Sequence, residues 1–220
     1  MEEVRGSIPL SSTLIRPILR GRPFFFPRTG GRMQVLLVHG YLAPAAILWP
    51  IGFALARARH APVYFDYPSR RGPFERHVPR LRARLAAMSG PYAVVAHSMG
   101  GLLLHTGLLD FDGHWPTHIV HVAVPHAGSA FARRVDRVPL SRAVVPALAP
   151  ATTGVPTPKH FCPVGTLAGE RDTVVRPDEA RLAGASHQTL PFGHNELLLR
   201  PATAAAILHF LQHGAFAEPG

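Results

Sequence analysis

The sequence predicts an α/β architecture, a mainly parallel sheet of about six strands with helices on both faces, and three observations carry that reading. A chain of 220 residues with 47% apolar and 16% charged residues suits one domain with a substantial core. From residue 33 onward, short apolar runs alternate with helix-length segments. In the 74–88 segment, Phe74, Val78, Leu81, Leu85 and Met88 recur at three- and four-residue spacing, which places them on one helical face. Strands separated by helices run parallel, and the crossovers cover the sheet on both sides.

The elements follow in order. The run VLLVHG precedes the helix-length APAAILWPIGFALARA, and PVYFDYP precedes FERHVPRLRARLAAM. YAVVAHS leads into MGGLLLHTGLL, then come IVHVAVP, FCPVGTLAG and HQTLPF, and a helical stretch from Ala202 to His213 closes the pattern. Between Met33 and Ala56 there is no Asp, Glu, Lys or Arg, a stretch long enough to cross a bilayer. Gln34, His39, Gly40, Pro44 and Pro50 interrupt it, so it reads as a buried strand, a loop and a helix. Residues 1–32 form a basic, apolar extension ahead of a domain spanning 33–220. The proline-rich interval of about 127–160 breaks the rhythm and reads as a small cap or lid insertion.

Bulk properties narrow the function classes. The net charge of +10 comes almost wholly from arginine, with Lys159 the one lysine, and no nucleic-acid motif accompanies it. No nucleic-acid partner is expected. Cys162 is the only cysteine, which excludes an internal disulfide and a cysteine-based zinc cluster and fits a reducing compartment. The start MEEVRG does not read as a signal peptide. A cytoplasmic monomer is the expectation, with packing of residues 1–32 on the domain favoured over peripheral membrane contact through them.

The informative string is VVAHSMGG, Val94 to Gly101. An apolar strand ends at Ser98, with small residues two before (Ala96) and two after (Gly100). A serine at the tip of a sharp strand-to-helix turn needs such neighbours, because the chain segments around it approach closely. The following helix then turns free N–H groups toward the hydroxyl. Ala96 stands where the G-x-S-x-G form of this motif has its first glycine.

VVAHSMGG, VLLVHGY (Val35 to Tyr41) and VPHAGSAFA (Val124 to Ala132) together resemble the α/β-hydrolase superfamily, in particular small bacterial lipases and esterases with an A-H-S-M-G elbow. The resemblance covers roughly residues 33–214. It implies a serine nucleophile, an acid and a base in that chain order, each at a strand end. Ser98 is then the nucleophile, supported by His97 and Gly100. Asp172, in GERDTVV, matches the family's acid loop, with Glu170 and Asp178 as rivals. His194, in FGHNELLL, takes the base position; His187 sits at the start of the last strand, the wrong end for a site at the carboxyl edge. The backbone N–H of Met99, the residue after the nucleophile, and that of Tyr41, or else Leu42, in the loop shaped by His39 and Gly40, would form an oxyanion hole. By the same likeness Leu42, Trp49, Met99 and Pro125 line an acyl pocket, and the strand ending at His39 lies beside the one ending at His97.

His118 and His121 lie three apart in one strand, on opposite faces, and cannot share a metal; there is no H-E-x-x-H. No metal or organic cofactor is expected. The resulting expectation is hydrolysis of a carboxylic ester, small-molecule or lipid, through an acyl-enzyme. Thioesters, amides or acyl transfer could use the same residues, and a non-catalytic binding module or a membrane-surface protein are the readings from other classes.

Overall fold

A computed structural model describes residues 32–70, 74–136 and 162–217. Its six strands are β1 (Gln34–Val38), β2 (Ala61–Phe65), β3 (Tyr92–His97), β4 (His118–Val122), β5 (Val164–Gly169) and β6 (Ser186–Leu190). They form one sheet in the order β2-β1-β3-β4-β5-β6, and every neighbouring pair is parallel. The expected architecture and the pairing of β1 with β3 are both observed. The described helices are α1 (Trp49–Arg57), α2 (Val78–Ala86), α3 (Met99–Leu108), α4 (Ala130–Asp136) and α5 (Pro201–His213). The extension 1–32, apart from Arg32, and the larger part of the 127–160 insertion lie outside the described residues; α4 is its described beginning.

The core divides by the two-residue alternation of the strands. Leu36, Val38, Val94, Ala96 and Ile119 face α2 and α3, meeting Leu81, Leu85 and Leu102. Val35, Leu37, Ala93, Val95 and Val120 face α1 and α5, meeting Ile51, Leu55, Ile207 and Phe210. Strands β1, β3 and β4 are therefore buried on both sides and largely apolar, as a covered parallel sheet requires. In the 74–88 segment a 3₁₀ turn (Phe74–His77) precedes α2, whose first turn carries Pro79, a position where a missing N–H costs no helical bond. The uncharged stretch 33–56 resolves into β1, a 3₁₀ turn (Ala45–Leu48) and most of α1. No described helix is long and apolar enough to cross a membrane.

From β1 the chain moves outward to β2 and then returns past β1 to β3. Strand order thus reverses between β1 and β3, which opens a crevice at their carboxyl ends. Helix α3 starts directly above it and packs tightly on the end of β1. A Cβ on Gly100 would stand 2.3 Å from the His39 carbonyl oxygen and 2.8 Å from that of Val38, backbone atoms that cannot step aside. At Gly107, in the same helix, the nearest atom is the flexible end of Leu81, 3.0 Å away. Gly100→Ala should therefore cost roughly 1–3 kcal/mol in urea unfolding. Gly107→Ala should stay within about 1 kcal/mol of the parent, because the helix propensity gained offsets a small adjustment of Leu81. Equal effects at both positions would contradict this account of the packing.

Candidate active site

Ser98 sits between β3 and α3 with φ 52° and ψ −129°, a conformation that costs an L-residue energy and persists only when its surroundings impose it. Those surroundings are visible. The Ser98 N–H donates to the Val122 carbonyl at 2.9 Å, and the Ser98 carbonyl accepts from the Gly101 N–H at 2.9 Å. Gly40 presses against the other side, where an added Cβ would meet the Ser98 Cβ at 2.9 Å.

Two loops from the far half of the sheet come to meet this serine. Asp172 follows β5, and its N–H donates to the Gly169 carbonyl. His194 lies between β6 and the 3₁₀ turn Glu196–Leu199 that leads into α5. The loops are laced to each other: Glu170 N–H donates to Leu190 O at 2.8 Å, and Arg171 N–H to Phe192 O at 3.1 Å. The approach is so close that a Cβ on Gly169 would fall 2.4 Å from the Phe192 carbonyl oxygen. The Asp172 side chain is wholly buried. Its Oδ1 accepts from the N–H groups of Val174 and Val175, at 2.8 and 2.9 Å, leaving Oδ2 to accept from His194 Nδ1–H at 2.7 Å. That bond fixes the tautomer, so His194 Nε2 carries a lone pair and takes the Ser98 hydroxyl at 3.0 Å. The rivals stand elsewhere. Glu170 is exposed, Asp178 pairs with Arg176, and His187 bonds Thr166 and Thr189 at the amino end of β6.

The loop after β1 is held by His39, a fully buried ring stacked on Tyr67 with centroids 4.4 Å apart. Burial pushes the His39 pKa down against the upward pull of Gly40, Asp66 and Tyr67, so the ring is neutral at pH 7. Nδ1–H donates to the Gly40 carbonyl at 2.8 Å, and Nε2 accepts from the Tyr67 N–H at 3.3 Å. The Tyr67 hydroxyl donates to the His39 carbonyl at 3.0 Å. With the Gly40 carbonyl turned to His39 in a trans peptide, the N–H of Tyr41 must point the opposite way.

Tyr41, Ser98, Met99 and His194 line one cavity of about 370 Å³. Leu42, Met99 and Pro125 also line it, joined by Phe131, Val135 and Val174, and no described Asp, Glu, Lys or Arg contributes to its wall. Trp49 is a correction: it does not line the cavity but lies on the outside of α1, because Ile51 and Leu55 take the inward face of that helix. Helix α4 forms part of the wall and is tied to the acid loop. Buried Glu179 accepts from the Ala130 and Arg176 N–H groups, and the Ser129 hydroxyl donates to the Val174 carbonyl.

Histidines the sequence could not pair also meet. His118 and His121 do point to opposite faces: His118 packs on Phe210, and His121 Nε2 lies 3.2 Å from His105 Nε2, with His126 against both rings. No group of three or more His, Cys, Asp or Glu among the described residues is arranged to hold a metal. His97, behind Ser98, is fully buried with its ring 4.8 Å from that of His194. Burial, then the neighbouring His194 imidazole, hold its pKa well below the ordinary value.

No protein-family model matches the sequence, and no curated protein matches it either. Crystal structures do match in fold. The mature Bacillus licheniformis lipase BlEst2 superposes with a TM-score of 0.67 at 16% identity, over 91% of this chain and 96% of that one. Aspergillus fumigatus lipase B gives 0.68 at 17% identity, over 90% of this chain and 57% of its own. A lipase-esterase related protein from Clostridium acetobutylicum gives 0.63 at 12% identity, over 80% and 93%. What is shared at these identities is the fold: this chain has the α/β-hydrolase fold.

Burial holds His39, His60, His97, His118 and His187 below the usual histidine pKa. Below about pH 6.5 the unfolded chain binds more protons at these sites than the folded chain does, so stability falls with acidification. The unfolding free energy should drop between pH 7 and pH 5. In His97→Asn the slope should be shallower by up to about 1.4 kcal/mol per pH unit. An unchanged slope would mean that His97 accepts a proton inside the fold.

Proposed function

We propose that the protein is a serine hydrolase that cleaves uncharged carboxylic esters through an acyl-enzyme. The single observation behind this reading is the hydrogen-bonded series from Ser98 Oγ to His194 Nε2 (3.0 Å) and from His194 Nδ1 to Asp172 Oδ2 (2.7 Å), opening into an apolar cavity. A serine hydroxyl is a weak nucleophile until a base removes its proton.

As Ser98 Oγ attacks the ester carbonyl, its proton passes to His194 Nε2, and Asp172 stabilises the imidazolium that forms. The carbonyl π electrons move onto oxygen, and the N–H groups of Met99 and Tyr41 receive the resulting oxyanion. Each such donor is typically worth roughly 2.7–4 kcal/mol. The C–O bond to the alcohol then breaks, the alcohol takes the proton from His194, and the acyl group remains on Ser98. Water, deprotonated by His194, reverses the sequence and releases the acid. The strained turn supports the role of Ser98, since strain of this kind is retained where it aims a reacting group. The uncharged wall supports the substrate class, because a buried charge without a partner is costly.

A fluorophosphonate probe should label the parent protein and fail to label Ser98→Ala. The variant should lose on the order of 10⁶ in kcat if the three residues act as a unit. Equal labelling of the two proteins, or none of either, would remove this assignment. Among p-nitrophenyl esters, neutral acyl chains should be turned over at least about tenfold faster than an ω-carboxylate analogue of equal length. A rate that does not discriminate would contradict the role given to the cavity wall.

A further inference from the structure

The uncharged stretch that raised the question of a membrane span leaves an unusual helix. Helix α1 reads WPIGFALAR, and its inward face is supplied by Ile51, Gly52 and Leu55. The outward face of a surface helix is ordinarily polar. Here Trp49 (63% exposed), Phe53 (66% exposed) and Arg57 recur at four-residue intervals on that face, with Pro50 and Ala56 also exposed. The Arg57 guanidinium lies 5.8 Å from the centre of the Phe53 ring. Leu199, 58% exposed, adds to the surface from the 3₁₀ turn Glu196–Leu199, which packs against α1.

We infer that this face of α1 docks the protein on an anionic lipid surface. Aromatic rings set at the level of the headgroups, with an arginine reaching the phosphates along its own apolar stem, are how a helix lies in a membrane interface. Charge favours a lipid of that sign. No acidic residue occurs between Glu3 and Asp66, so neither α1 nor the turn before it repels a phosphate, while Arg57 and Arg59 are both exposed at the end of the helix. Arg200, beside Leu199, is already paired with Glu196 and adds little. Area argues against a second copy as the occupant. Three side chains offering on the order of 100 Å² each fall far short of the roughly 800 Å² per partner of a stable dimer. The placement has a use: Trp49 begins α1 where the chain arrives from the carboxyl end of β1, the rim that also carries Ser98. The inference stands independently of the proposed chemistry.

The test uses the full chain, with sucrose-loaded vesicles of phosphatidylcholine alone or mixed with phosphatidylglycerol. The parent protein should sediment with the mixed vesicles, more weakly with phosphatidylcholine alone, and its tryptophan emission should shift to the blue. The double variant Trp49→Ser/Phe53→Ser should partition at least about tenfold less and keep its unfolding midpoint. Arg57→Gln should weaken binding to the mixed vesicles while leaving the weak binding to phosphatidylcholine unchanged. Three outcomes would overturn the inference. They are parent protein that ignores phosphatidylglycerol, a double variant that binds as well as the parent, and a double variant whose only change is loss of a dimer in analytical ultracentrifugation.

Discussion

Helix α3 lies so close to the end of β1 that backbone meets backbone, and the rest of the site takes its geometry from that contact. The helix cannot begin where it does unless the chain turns sharply at Ser98, and the turn cannot hold a left-handed φ unless neighbours on both sides fix it. Val122 holds the amide from the β4 side, and Gly40 crowds the side chain from the β1 side. One steric constraint therefore places the hydroxyl at the point where strand order reverses, and also brings the loop after β1 against it. The energy of the strained residue is offset by the apolar packing of the covered strands β1, β3 and β4.

The far side of the site is organised by hydrogen bonds instead. The loops after β5 and β6 are joined by backbone bonds, and Asp172 takes two further N–H groups before it reaches the imidazole. A carboxylate used this way has little freedom left, which is why one oxygen points at His194 and the other away from it. The His39–Tyr67 pair does the same for the loop after β1. In each case a buried polar group orients another that faces the cavity, an arrangement that becomes stronger where water is excluded.

Features set by local spacing are legible in the amino-acid sequence itself. The strand and helix periods specify the architecture, and the small residues around Ser98 mark the turn, because both depend on neighbours within a few positions. Asp172 stands out only through chain order and a resemblance, since nothing local separates it from Glu170 or Asp178, whereas His194 is set apart from His187 by its place after the last strand. Trp49 is misplaced by sequence reasoning for a physical reason. The family likeness suggests a place in the cavity, but the helical phase of α1 is decided by Ile51 and Leu55, and it turns Trp49 outward. The meeting of His105, His121 and His126 has no local signature at all, because it joins a helix, a strand and a loop through tertiary packing.

The link through Glu179 gives the cavity two unlike walls. Helix α4 and the stretch after Asp172 share one buried carboxylate and the bond from Ser129 to Val174, so they form a single mechanical piece. Phe131 and Val135 line the cavity from that piece. Leu42 belongs to the loop after β1, where its carbonyl accepts from Arg70. The cavity thus takes one wall from the loop after β1 and another from a helix fastened to the loop that carries Asp172.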